Sequence, residues 1–163
     1  MEAIMKGYRF ARCAGLSLVC VLVMATAAFA ADNLAATWKQ NMAKSKYSPG
    51  PPPKSGLSKF EAVEGGIKLT TNGVDAAGKA TRIEYTAMYD GKDYPVTGNP
   101  DQDTVAYKKI DDYTYENVAK KAGKVTTTTR MVISHDGKMR TNTVTGTDVH
   151  GRKVNNTVVF DRQ

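Results

Sequence analysis

Apolar and polar positions alternate along most of this chain with a period of two, and the pattern is plainest from Val125 to Asp161. That stretch reads VTTTTRMVIS, HDGK, MRTNTVTGT, DVHGRK and VNNTVVFD. Valine, threonine and isoleucine lose rotamers in a helix but pack well on a pleated surface. Asp136-Gly137 and the Asp148–Gly151 turn tolerate the positive φ of tight hairpins. The expected element is a meander of antiparallel strands.

The same pattern extends back to Leu57. LSKFEAVE and IKLTTNGV flank Gly65-Gly66, a two-residue hairpin signal. Asp75–Gly78 turns the chain into TRIEYTAMY, where Ile83, Tyr85, Ala87 and Tyr89 share one face. Asp90–Asp103 is expected to be a long loop that lids one end of the fold. TVAYKKI and YTYENVA follow, separated by Asp111-Asp112, and Lys120–Lys124 makes another turn. With Thr37-Trp38-Lys39 as a first strand, the pattern yields about nine strands, all sequential neighbours, within a range of roughly 8–10. Ser48–Ser55 carries three consecutive prolines and reads as a stiff connector. Two turns share the form G-x-D-x-x-G-basic, Gly73–Lys79 and Gly146–Arg152, from a duplication or from convergent turn chemistry.

Such a meander hides its edges by closing into an up-and-down barrel or by folding over as two packed sheets. The expected fold is all-β, the barrel.

Residues 1–30 read as a cleaved signal peptide. Lys6, Arg9 and Arg12 precede the apolar run Leu16–Phe29, and Ala28-Phe29-Ala30 offers small residues at the positions a signal peptidase reads. The run is too short to span a bilayer comfortably. The expectation is therefore export to the periplasm or outside the cell, with no membrane anchor after cleavage. Residues 31–163 form a single domain: 31–56 hold the first strand and the connector, 57–163 the hairpin meander. Cys13 and Cys20 both lie in the leader, so no disulfide or thiolate site is expected beyond it. Without Lys6, Arg9, Arg12 and Glu2, the net charge of +7 for the whole chain falls to +5. That mild excess gives no reason to expect nucleic-acid binding.

Beyond residue 30, three leucines (Leu34, Leu57, Leu69) and two phenylalanines (Phe60, Phe160) leave little apolar bulk for the interior. Tyrosines replace it. Tyr85, Tyr89, Tyr107 and Tyr115 are candidate ligand-binding residues, lining a pocket of apolar rings with a few hydroxyls. The alternative is that they plug the core with their hydroxyls at the rim.

Ser134-His135-Asp136 has the letters of a hydrolytic triad, but consecutive residues do not converge in space, so no catalytic residue is assigned. Asp90, Asp93, Asp101 and Asp103 lack the order of a calcium loop and read as turn residues. No metal or cofactor is expected.

Thr37-Trp38-Lys39, Ala43–Gly50, Tyr89–Gly98 and Val154–Asn156 resemble recurring segments of small secreted bacterial proteins. The opening A-x-W-K-x-N from Ala36 is similar to the G-x-W-K-x-N first-strand motif of lipocalin-like (calycin) barrels, with alanine in place of the glycine. The resemblance implies a barrel whose tryptophan crosses the closed end beneath a ligand cavity, against a basic residue from a late strand. Trp38 would fill that structural place, with Arg130 or Arg140 as its partner. The expected function is a non-catalytic exported protein holding a small, partly apolar ligand in the barrel. A cell-envelope structural or protein-interaction module with a filled core is the alternative.

Overall fold

Branched residues and Gly-Asp turns fold into ten antiparallel strands in a computed structural model that describes residues 32–163. They are β1 (Thr37–Lys46), β2 (Ser55–Val63), β3 (Gly66–Val74), β4 (Ala80–Met88) and β5 (Asp90–Pro95), then β6 (Thr104–Lys109), β7 (Thr114–Lys121), β8 (Lys124–Ile133), β9 (Met139–Thr147) and β10 (Lys153–Arg162). No helix occurs among the described residues. The expected signal peptide, residues 1–30, lies outside them.

One sheet contains every strand, in the order β4-β3-β2-β1-β10-β9-β8-β7-β6-β5. First and last strands pair at its centre, with Trp38 opposite Arg162 and Gln40 opposite Phe160. The two outer strands, β4 and β5, are consecutive in the chain and curl round toward each other. A single isolated bridge joins β4 to the segment just past β5: the Glu84 amide donates to the Thr97 carbonyl at 3.1 Å and the Thr97 amide to the Glu84 carbonyl at 3.0 Å. The result is a nearly closed up-and-down barrel, in place of two packed sheets. The bridge pairs two of the edge amides that an open sheet would expose.

Gly98 makes this seam. Its φ is +82°, and a Cβ there would run into the Arg82 carbonyl oxygen. Gly98→Ala should therefore break the Glu84–Thr97 bridge, at a strain of about 1–3 kcal/mol before the clash is added. Hydrogen exchange is the measurement: the Glu84 and Thr97 amides should lose protection while β8–β10 keep theirs. Unchanged exchange at both amides would refute the role of the glycine.

Two elements differ from the sequence expectation. The expected Asp90–Asp103 loop contains strand β5, which pairs with β6 through Asp93–Ala106 and Tyr94–Val105. Its sequence, DGKDYP, holds no β-branched residue, so pairing with a strong neighbour outweighs local propensity. Likewise β1 runs on past Lys39 to Lys46, its pairing with β10 interrupted by a register shift between Asn41 and Lys46.

The matching turns fold alike. Asp75 Oδ1 accepts the Lys79 amide at 2.9 Å, and Asp148 Oδ1 accepts the Arg152 amide at 2.8 Å. In each, the Asp carbonyl also accepts the amide of the second glycine, Gly78 at 3.1 Å or Gly151 at 3.0 Å. The shared motif is thus a shared turn geometry.

Candidate functional site

The barrel interior divides into a packed half and a hollow half. Packing begins with the turn Asp32–Ala36, which seals one end. Asp32 Oδ1 accepts the Leu34 amide at 3.0 Å, and the Leu34 carbonyl accepts the Trp38 indole N–H at 3.0 Å. Leu34 and Trp38 are completely buried. The Asp32 carboxylate also accepts the hydroxyls of Tyr89 (2.5 Å) and Tyr115, fastening the turn to β7 and the end of β4. Arg162 extends over the Trp38 ring at 5.5 Å and donates to the carbonyls of Ala35 and Gly137 at 3.4 and 3.3 Å.

Above this plug, inward side chains change from large and apolar to small and polar. Along β8 the inward sequence runs Ile133, Met131, Thr129, Thr127; along β9 it runs Arg140, Asn142, Val144. Along β2 and β3, Phe60 and Leu69 give way to Ser58 and Thr71, whose hydroxyls bond each other at 3.0 Å. Smaller side chains leave a cavity of about 190 Å³, open toward the end opposite Asp32. Phe60, Leu69, Tyr107, Met131 and Phe160 form its apolar floor and walls. Gln102, from the segment after β5, reaches the same space.

The four tyrosine candidates separate into two pairs. Tyr85 and Tyr107 line the cavity, their rings 5.8 Å apart and their hydroxyls bonded at 2.7 Å. Burial raises the pKa of both phenols above the ordinary value. Tyr89 and Tyr115 lie below, in the plug. Burial first, then their bonds to Asp32, hold these phenols protonated far above the usual range.

Arg140 governs the electrostatics. It is only 1% exposed, and its guanidinium carbon lies 4.1 Å from the Phe160 ring centre, 4.7 Å from Phe60 and 5.3 Å from Trp38. Aromatic faces attract a cation but accept none of its in-plane hydrogens. Arg140 Nε and Nη1 are buried without a hydrogen-bond partner, and no ion pair reaches this side chain among the described residues. Burial pushes its pKa down to about 10, which leaves it charged at neutral pH. Two residues along β9, the buried Asn142 Oδ1 is likewise unpaired.

The two arginine candidates have separate fates. Arg140 meets Trp38 from inside the barrel, whereas Arg130 is exposed on the outer face of β8, between the inward Thr129 and Met131. Arg162, which sequence reasoning missed, caps Trp38 at the closed end. Ser134, His135 and Asp136 form a turn: Ser134 Oγ donates to Asp136 Oδ1 at 2.6 Å, and His135 packs edge-on against Tyr113 at 4.6 Å. The acids of the Asp90–Asp103 segment pin it: Asp90 accepts the Lys92 amide and the Tyr94 hydroxyl at 3.0 Å, and Asp93 pairs with Lys120 at 2.8 Å.

Comparison with family models, with curated proteins and with solved structures finds no match to this chain. The fold and cavity define a nearly closed up-and-down β-barrel with one sealed and one hollow end.

Proposed function

We propose that this protein is an exported, non-catalytic carrier or sensor that holds a small, partly apolar ligand inside its barrel. The observation that carries the reading is the 190 Å³ cavity, walled by aromatic and aliphatic groups and furnished with a few polar atoms that have no protein partner. Small-molecule sites have that make-up, and a cavity of about 150 Å³ accommodates benzene. A space of this size suits a compact guest and is too small for a long acyl chain. The leader-like segment 1–30 supports export, and the lack of cysteine from residue 31 onward suits a chain that must persist in an oxidising compartment without mispairing.

Native mass spectrometry of protein purified from its own host tests this. A small molecule should co-purify in stoichiometric amount and leave on mild activation. A bare chain mass in every preparation, with wild-type protein that takes up no small apolar compound, would instead favour a structural module of the cell envelope.

A further inference from the structure

The cavity's polar atoms specify more than a generic guest. Resting on the carrier reading above, we infer that the ligand is a compact monocarboxylate whose carboxylate seats on Arg140 and whose apolar body fills the space toward Tyr85, Tyr107 and Met131. Buried donors without partners are rare in folded proteins, and a buried cation without a counter-ion is rarer. Here both occur in one side chain, on the wall of a cavity. The rings of Trp38, Phe60 and Phe160 surround the guanidinium at 5.3, 4.7 and 4.1 Å. Its Nε and Nη1 hydrogens are left without a protein acceptor, and a carboxylate is the acceptor a guanidinium pairs with best.

Charge count narrows the class. Arg140 is the only ionisable group other than tyrosine among the residues lining the cavity. One guanidinium neutralises a monoanion, whereas a phosphate monoester, carrying close to two charges, would leave charge uncompensated in a low-dielectric space. Asn142 Oδ1 adds an acceptor on the same face, suited to a hydroxyl or amino hydrogen on the guest. The volume limits the body to about the size of a single aromatic ring with a short substituent.

Isothermal titration with acid–amide pairs tests the inference: benzoate against benzamide, phenylacetate against phenylacetamide, and phenyl phosphate as the dianion. Protein is first stripped of small molecules by unfolding and refolding. In the wild type the acids should bind about tenfold or more tighter than their amides, and phenyl phosphate more weakly than benzoate. Arg140→Met should abolish the acid preference while retaining the amides, and should melt no lower than the ligand-free wild type, since it removes an unpaired buried charge. The acid–amide ratio in the wild type and in Arg140→Lys decides the matter even if Arg140→Met fails to fold. Equal binding of acids and amides would overturn the anchor and leave the carrier reading standing. If none of the compounds binds, the monocarboxylate class is overturned, while the mass-spectrometric result separately decides whether the barrel carries anything. Tightest binding of phenyl phosphate would also overturn it.

Discussion

Trp38→Ala should cost the barrel about 3–5 kcal/mol, a large share of the roughly 5–15 kcal/mol that keeps a typical domain folded. The indole is fully buried at the level where the first, second and last strands meet, opposite Ser58 on one side and Arg162 on the other. Its loss leaves a void between the plug and the cavity floor. It also strips the Leu34 carbonyl of its donor and removes the ring beneath both Arg140 and Arg162. Phenylalanine restores bulk but no N–H, so Trp38→Phe should fall between wild type and alanine. Urea unfolding followed by far-ultraviolet circular dichroism measures this. A Trp38→Ala protein within about 1 kcal/mol of wild type would show that the plug is dispensable.

That residue was legible from its motif, and Arg140 was one of the two arginines named beside it; the second arginine on the ring, Arg162, was not named. The inward phase of β8 is readable from Met131 and Ile133, which place Arg130 outside. On β9 the threonines at 141, 143, 145 and 147 all take the outer face, and only Val144 hints that Arg140 and Asn142 point in. Arg162 stands beside Trp38 because the chain's last strand pairs with its first, a long-range register that no local pattern encodes. The meander itself was readable because each hairpin is a local object with its own turn chemistry. Strand β5 was hidden because its membership comes from β6 rather than from its own residues. The same limit applies to the tyrosines. Period-two alternation places Tyr85, Tyr89, Tyr107 and Tyr115 inside, but height along the barrel axis depends on register between strands. That height separates the pair at the cavity from the pair on Asp32.

Those four phenols make the barrel sensitive to alkali. Each has its pKa raised in the fold, with burial as the leading cause. A group whose folded pKa lies above its unfolded value stabilises fully below the unfolded value, here near 10, and that stability is lost as pH climbs through the folded one. Above pH 10 the unfolded chain releases four protons that the fold retains, so stability falls by up to about 1.4 kcal/mol per pH unit for each phenol. Tyr89 is only partly buried, and solvent screening reduces its share. Arg140 acts in the opposite sense. Its folded pKa of about 10 is depressed, so from that pH upward the fold sheds a proton the unfolded chain keeps, and stability rises. One guanidinium opposes four phenols, so the net change is a loss of stability. Phenolate absorbance and circular dichroism, followed together from pH 9 to 12, should show these tyrosines ionising in one cooperative step with the loss of β-structure. Replacing Tyr85 and Tyr107 together by phenylalanine should shift that step to higher pH, because two of the linked protons are gone. A gradual phenolate titration centred near pH 10 with the β-signal intact would mean that water reaches the tyrosines freely, which a sealed plug and a narrow cavity do not allow.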